Sequence, residues 1–209
     1  ITVTHGQQAY ARVRVRLEDG REGEGFAAEA LGAKWFDKNP ALSDEENYAQ
    51  LRKSIEIAAG MYRSAPPMTA FDLFAEHHKA QLRTGAEFEL LPLVASYGPA
   101  LLDRAVLDAV CRIEGVSFWH AMRANLPGMR SHPIAPDLDG FDFAGFLAGL
   151  EPAATIDARH TVGLVDPIVA ADQPPGTRVG DGLPETLEEV VATYRHRYFK
   201  LKVSGHLEA

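Results

Sequence analysis

Polar and apolar residues alternate strictly near the start of the chain, with Arg12, Arg14 and Arg16 set against Val13, Val15 and Leu17. Successive strand side chains point to opposite faces, so residues 9–17 predict a half-buried antiparallel strand. Asp19-Gly20 is a hairpin turn signal, and residues 21–29 predict the returning strand. The period then changes to that of a helix. Ser43-Asp44-Glu45-Glu46 fits a capping box, and Tyr48, Leu51, Ile55, Ala58 and Tyr62 follow on one face, predicting a helix over 44–62. Pro66-Pro67 ends it. Thr69 caps a second helix with Phe71, Phe74, His78 and Leu82 on one face. A third helical region spans 88–114, with breaks expected near Pro92 and Gly98-Pro99. A short helix from Phe118 to Ala124 follows Gly115.

The stretch from Asn125 to Gly140 is rich in Pro, Asp and Gly and reads as loop. Phe141 to Leu150 predicts a short helix, and His160 to Pro167 a short apolar strand with a turn at its end. Pro184 and Thr186-Leu187-Glu188-Glu189 open a helix whose apolar face is Leu187, Val190, Val191, Tyr194 and Tyr198. A strand over 199–203 completes a β–loop–α–β unit, which joins parallel strands. The expected organisation is an α+β domain of hairpin and helices over 1–125, a linker and short helix over 126–151, and two strands of an α/β domain over 152–209. A closed (β/α)₈ barrel takes about 250 residues. The chain is therefore expected to be a portion of a longer protein.

The last strand carries the most chemistry. In Tyr198-Phe199-Lys200-Leu201-Lys202-Val203, Phe199, Leu201 and Val203 share one face and Lys200 and Lys202 the other. Burying two ammonium groups side by side is costly, so such a pair has a partner, a wet cavity or a chemical role. An edge strand whose lysines stand in water to block aggregation is the competing reading. On these residues alone both stay open.

Composition narrows the partners. The 209 residues are 46% hydrophobic and 24% charged, with a formal net charge of −8, which suits a globular protein and argues against nucleic acid as a partner. No stretch approaches the length of a membrane span. The one cysteine, Cys111, cannot make an internal disulfide and sits in a helical run, so it reads as a small core residue in a reducing, cytoplasmic setting.

Three segments together resemble the enolase superfamily, in its mandelate racemase and muconate-lactonizing branch. Residues 13–29, Val-Arg-Val-Arg-Leu-Glu-Asp-Gly-Arg-Glu-Gly-Glu-Gly-Phe-Ala-Ala-Glu, look like that family's capping-domain hairpin. Residues 102–119, from Leu102 through Gly115 to Trp119, are similar to its long capping-domain helix and the turn after it. Lys200-Leu201-Lys202 resembles the pair on its second barrel strand. The likeness covers nearly the whole chain but about half of a family member. The helix at 102–114 departs from the pattern, with Cys111-Arg112 where relatives often carry an aromatic-Asp pair. The fold this implies is an α+β capping domain followed by the first part of a (β/α) TIM-type barrel.

The resemblance implies a Mg²⁺-dependent racemase, epimerase, cycloisomerase or dehydratase that removes the α-proton of a small-molecule carboxylate to give a metal-stabilised enediolate. Lys202 is then the base, and Lys200 the neighbouring charge that favours its neutral form. The logic is sound for lysine, whose ordinary value of about 10.4 leaves it protonated at neutral pH unless a like charge or desolvation intervenes. The metal ligands are expected on strands beyond Ala209, with none in this chain. A homo-oligomer is expected, with no membrane partner. Two alternatives remain: a lysine Schiff-base barrel enzyme with Lys202 as nucleophile, and a non-catalytic scaffold or assembly protein that keeps the fold.

In the resembled family the loop after the hairpin closes over the barrel mouth. That implies substrate contact by Trp35 or Phe36, which instead pack within their own domain if the loop is purely structural. Asp166, at the end of the first barrel strand, is a site candidate or an Asx turn before Pro167. His160 stands at the opposite end and reads as structural. His77 and His78 are adjacent on a helix and so diverge, which excludes a metal pair. Gly20, Gly23 and Gly25 sit on a hairpin and do not form a phosphate loop. The arginine row reads as a solvated face.

Overall fold

The computed structural model describes residues 6–203. The chain divides into two compact units between Leu150 and Glu151.

In the first unit, strands β1 (Gln8–Arg16) and β2 (Glu22–Ala30) form the expected antiparallel hairpin, with Arg14 opposite Glu24 and Arg16 opposite Glu22. Leu17 N–H donates to the Arg21 carbonyl at 2.8 Å, so the connection is the three-residue loop 18–20 with Gly20 at φ 88°. That left-handed position is one a glycine takes without Cβ strain. Cross-strand ion pairs Arg14–Glu24 (3.4 Å) and Arg16–Glu22 (3.0 Å) occupy the outer face, as expected of a solvated row.

The inner face lies on α4 (Tyr97–Glu114), at very close range. A Cβ placed on Gly25 would stand 2.1 Å from the Ala105 carbonyl oxygen and 2.3 Å from the Ala109 nitrogen. Ala105 and Ala109 are fully buried there, so three small residues set the spacing of sheet and helix. Asp108 on α4 accepts from Phe26 N–H at 2.8 Å and Tyr97 Oη donates to the Glu29 and Ala30 carbonyls, both at 3.2 Å. These bonds satisfy polar groups along β2 that the hairpin leaves open.

Helix α1 (Asp44–Ser64) starts with the expected capping box, and α2 (Ala70–Glu87) with the expected Thr69 cap. The expected face of α2 is half-buried, and its fully buried positions are Ala75, Gln81 and Gly85 beside it. The third helical region differs from expectation. Pro92 opens the short α3 (Pro92–Ala95), the break falls at Ser96, and Gly98-Pro99 lies inside the first turn of an uninterrupted α4. Proline is tolerated there because first-turn N–H groups have no intrahelical acceptor to lose. Gly98 has a second role: a Cβ on it would meet the Ser54 carbonyl oxygen at 2.2 Å. Around this contact Ser54 Oγ donates to the Ala95 carbonyl (2.7 Å), Gly98 N–H donates to Ser54 Oγ (2.8 Å), and Gln81 Nε2 donates to the Ser54 and Ala95 carbonyls. The main core of Leu31, Tyr48, Leu51, Leu90, Val94, Ala95 and Tyr97 closes over it.

Gly115 ends α4 at φ 66°, and α5 (Phe118–Arg123) and α6 (Phe143–Ala148) follow. The expected linker docks on the first unit: Arg130 pairs with Asp72 at 2.8 Å, and Arg123 donates to the Ala148 carbonyl at 2.8 Å.

The second unit holds β3 (Arg159–Val162), α7 (Leu187–Tyr194) and β4 (Tyr198–Leu201). The strands pair in parallel, as the β–α–β reading predicts, with Thr161 opposite Lys200 and Val162 opposite Leu201. Thr186 caps α7. The expected apolar face stops at Tyr194, because Arg195 turns left-handed at φ 55° and Tyr198 becomes the first residue of β4. Among the described residues of this unit, Val162 on β3 and Val190 on α7 are the buried apolar ones. Among the described residues there are two sheets of two strands each, and no closed barrel. No described helix is long and apolar enough to cross a membrane.

Candidate functional site

Lys200 and Lys202 stand two residues apart on β4 and its extension, and Lys202 N–H still donates to the Val162 carbonyl at 3.0 Å. The pairing therefore continues past Leu201, and the pleat puts both lysines on one face. Thr161 lies beside Lys200 in the register, on that same face of β3. Phe199 and Leu201 take the opposite face, where Phe199 meets His160 edge-on at 6.5 Å. Every residue of β4 is exposed, Leu201 by 65%, so the lysines are open to water along with the apolar residues between them.

Asp166 closes the end of β3. Its Oδ2 accepts from Gly163 N–H at 2.7 Å, and its carboxyl fills the space a side chain at Gly163 would need. The carboxylate bonds back to the third residue before it, and the Ile168 N–H that an Asx turn before Pro167 would use donates instead to Asp172 at 3.0 Å, so the expected Asx turn is not what holds Asp166. His160, at the other end of the strand, stacks on His196 with ring centroids 5.7 Å apart.

Trp35 and Phe36 belong to the first unit, and they part company. Phe36 packs edge-on against Tyr97, centroids 5.2 Å apart, at the margin of the main core. Trp35 is 64% exposed. The loop that carries them is tied down. Lys34 N–H donates to Asn47 Oδ1 at 3.2 Å, and Lys34 Nζ donates to the Asn39 carbonyl (3.0 Å) and to the Leu42 carbonyl. Buried Asp37 accepts from Asn39 N–H (2.9 Å) and from Gln50 Nε2 (3.4 Å). Within the loop, then, Lys34 spends its ammonium on two backbone carbonyls.

Sequence reading missed one polar pair. Tyr62 Oη on α1 donates to Asp103 Oδ1 on α4 at 2.6 Å. Burial pushes the Asp103 carboxyl up to about 6, against the opposing effect of the Tyr62 hydrogen bond. Burial, then the Asp103 charge, raises the Tyr62 phenol above its ordinary range, so it stays a donor. Tyr62 counted as a residue of the apolar helix face, and nothing local links it to a position on a different helix. Cys111 is buried, and burial raises its thiol, in keeping with a core role. His77 hydrogen bonds to the Leu73 carbonyl at 2.8 Å and His78 packs on Phe74, so the two diverge.

Among the described residues no group of three or more His, Cys, Asp or Glu side chains is placed to hold a metal ion. The face with Lys200 and Lys202 offers ammonium groups, which are not metal ligands. That face does not by itself fit Mg²⁺, which takes oxygen ligands. Compared with protein-family models, curated proteins and solved structures, the chain matches none.

Proposed function

We propose that this chain is the capping domain and first two barrel strands of a cytoplasmic, homo-oligomeric isomerase or lyase that removes the α-proton of a small-molecule carboxylate. The observation that carries the reading is the placement of Lys200 and Lys202 on one face of the second parallel strand of a β–α–β unit. Lys202 is the base. It is the later of the two, nearer the C-terminal end of the strand, where barrel enzymes keep their chemistry. Lys200, two residues earlier on the same face of the strand, is its partner in the pair. Mg²⁺, held by residues outside this chain, supplies charge stabilisation to the enediolate. Trp35 takes the substrate-contacting role, and the packing of Phe36 on Tyr97 supports a positioning part for that ring.

The test is deuterium exchange at the α-carbon of candidate carboxylates, with Mg²⁺, in the protein that carries this chain. Lys202→Ala should cut exchange by about 10²–10⁴-fold, the usual contribution of a general base. Undiminished exchange in that variant removes the base assignment. Borohydride trapping separates the Schiff-base alternative, because proton abstraction leaves no adduct. A non-catalytic assembly role is favoured by one observation, the exposure of all four residues of β4. In that role the lysines protect a strand edge, and Lys200→Ala with Lys202→Ala raises aggregation without touching any exchange activity.

A further inference from the structure

Aspartates that precede glycine carry a chemistry that the proposed reaction does not use. The chain holds three such pairs, Asp19-Gly20, Asp139-Gly140 and Asp181-Gly182. In each, both residues are exposed. The glycine nitrogen can attack the aspartate carboxyl and close a five-membered succinimide ring, because glycine has no side chain to shield its nitrogen. Local sequence makes the three pairs equal in this respect. The structure separates them by what each carboxyl and each N–H is already bonded to.

Asp19 is held at both oxygens. Its Oδ1 accepts from Arg21 N–H at 3.0 Å and its Oδ2 from Arg21 Nε at 2.7 Å, and these bonds hold the carboxyl below the usual carboxylate range. Gly20 N–H is engaged as well, donating to the Leu17 carbonyl at 3.0 Å. Asp181 Oδ1 accepts from Leu183 N–H at 2.9 Å. Asp139 differs. Among the described residues, neither its carboxyl nor the Gly140 N–H has a hydrogen-bond partner. The pair forms the centre of an exposed turn between α5 and α6, closed by Phe141 N–H donating to the Leu138 carbonyl at 3.1 Å. Asp139 has φ −63° and ψ 130°, and Gly140 has φ 73°, the values of a type II turn. Ring closure needs the peptide between them to rotate. Type I and type II turns share the outer hydrogen bond and differ by such a rotation, so it costs this turn no bond.

We propose that Asp139-Gly140 is a modification site at which the folded chain converts spontaneously to isoaspartate. The Gly140 nitrogen bonds to Asp139 Cγ, and the protonated carboxyl loses its O–H, which leaves with the amide proton as one water molecule. Water then adds to the ring. Breaking the bond from nitrogen to the Asp139 main-chain carbonyl carbon leaves the chain running through Cβ and Cγ, with a free α-carboxylate. Breaking the bond to Cγ restores aspartate. One water leaves and one returns, so mass and charge are unchanged. The product lengthens the backbone by one methylene in the turn that seats Phe141 against Phe143 and Phe146, with ring centroids 5.0 and 5.5 Å apart. Ser131 Oγ donates to the Leu138 carbonyl of the same turn at 2.8 Å. Conversion therefore loosens the linker from α6. The site stands or falls independently of the proton-abstraction reading.

The test is ageing of the whole chain at neutral pH and body temperature. Isoaspartate is located by peptide mapping, and by the methyl ester formed when an isoaspartyl carboxyl methyltransferase moves the methyl group of S-adenosylmethionine onto the new carboxylate. Isoaspartate should accumulate first at Asp139. A hydrogen bond that must break beforehand slows a step by about fivefold. Asp181 should therefore lag by about that factor, and Asp19, with its own two bonds and that of Gly20, by more. In concentrated urea the native bonds are gone, and the three pairs should react at similar rates. Asp139→Glu, whose longer side chain would have to close a larger ring, should leave that peptide unmodified. Its amide exchange over residues 138–148 should stay constant on ageing, while the aged parent exchanges faster there. Conversion at Asp19 or Asp181 that matches or outruns Asp139 in the folded protein overturns the proposal. So does a preference for Asp139 of equal size in urea, which would come from the sequence and not from the fold.

Discussion

Replacing Asp103 by Asn should stabilise the first unit at neutral pH. Asp103 is a partly buried carboxyl on α4 whose one hydrogen-bond donor is Tyr62. Burial carries it from 3.8 to about 6, which corresponds to roughly 3 kcal/mol against the charged form. The carboxyl retains some contact with water, so about 1–2 kcal/mol is the realistic gain from removing the charge. Asn keeps the Oδ1 acceptor for the Tyr62 hydroxyl. The sign follows from proton binding. Between 3.8 and about 6 the folded protein holds this proton while the unfolded chain releases it. Stability from this group therefore falls as pH rises through that window and stays level above it. Urea unfolding from pH 4 to 8, with amide exchange of α1 and α4 to localise the effect, reads the result. Asp103→Asn should lose the decline between pH 4 and 6 and exceed the parent at pH 7. A variant less stable than the parent at pH 7, with the same pH slope, would refute the argument from burial.

Gly98→Ala should destabilise the first unit by about 3 kcal/mol, since its methyl would press on the Ser54 backbone and not on a yielding side-chain tip; a thermal melt within a degree of the parent contradicts this. Phe36→Ala should cost about 1–2 kcal/mol as truncation of a half-buried ring, and Trp35→Ala under about 1 kcal/mol, both read by urea midpoints. Backbone N–H groups of Gly180 and Val179 hold the Glu185 carboxyl below the usual carboxylate range. The loop before α7 should therefore stay protected from amide exchange at neutral pH and open only as pH falls through that lowered value, while Glu185→Gln should leave Val179 and Gly180 unprotected at neutral pH.

Much of the local structure was legible because short-range rules decide it. The alternation at Arg12 to Leu17, the Ser43–Glu46 box and the Thr69 and Thr186 caps are written within a few residues of where they act, and the parallel relation of β3 and β4 follows from the helix that joins them. What was illegible depends on contacts between distant segments. Gly98-Pro99 reads as a helix breaker until Ser54 is known to lie against it; then the glycine is a close-approach residue and the proline is harmless in a first turn. Tyr198 fits the helical period of α7, and only the left-handed turn at Arg195 moves it to a strand. Lys34 looks like a mobile charge, because its carbonyl acceptors at Asn39 and Leu42 carry no sequence signal. The candidate site divides in the same way. The shared face of Lys200 and Lys202 follows from strand periodicity alone, whereas the half-buried place of Phe36 depends on Tyr97, far along the chain.

The tight seat of β2 on α4 bears on time as well as on space. Gly25 leaves no slack between the hairpin and the helix, and Tyr97 clips the Glu29 and Ala30 carbonyls at the point where β2 gives way to the loop. Lys34 and Asp37 fasten that loop again farther on. A segment held at its root and along its length should exchange its amides more slowly than an untied loop, from Leu31 to Leu42. A ligand reaching Trp35 would meet a loop already in place, so little ordering entropy would be spent on that contact.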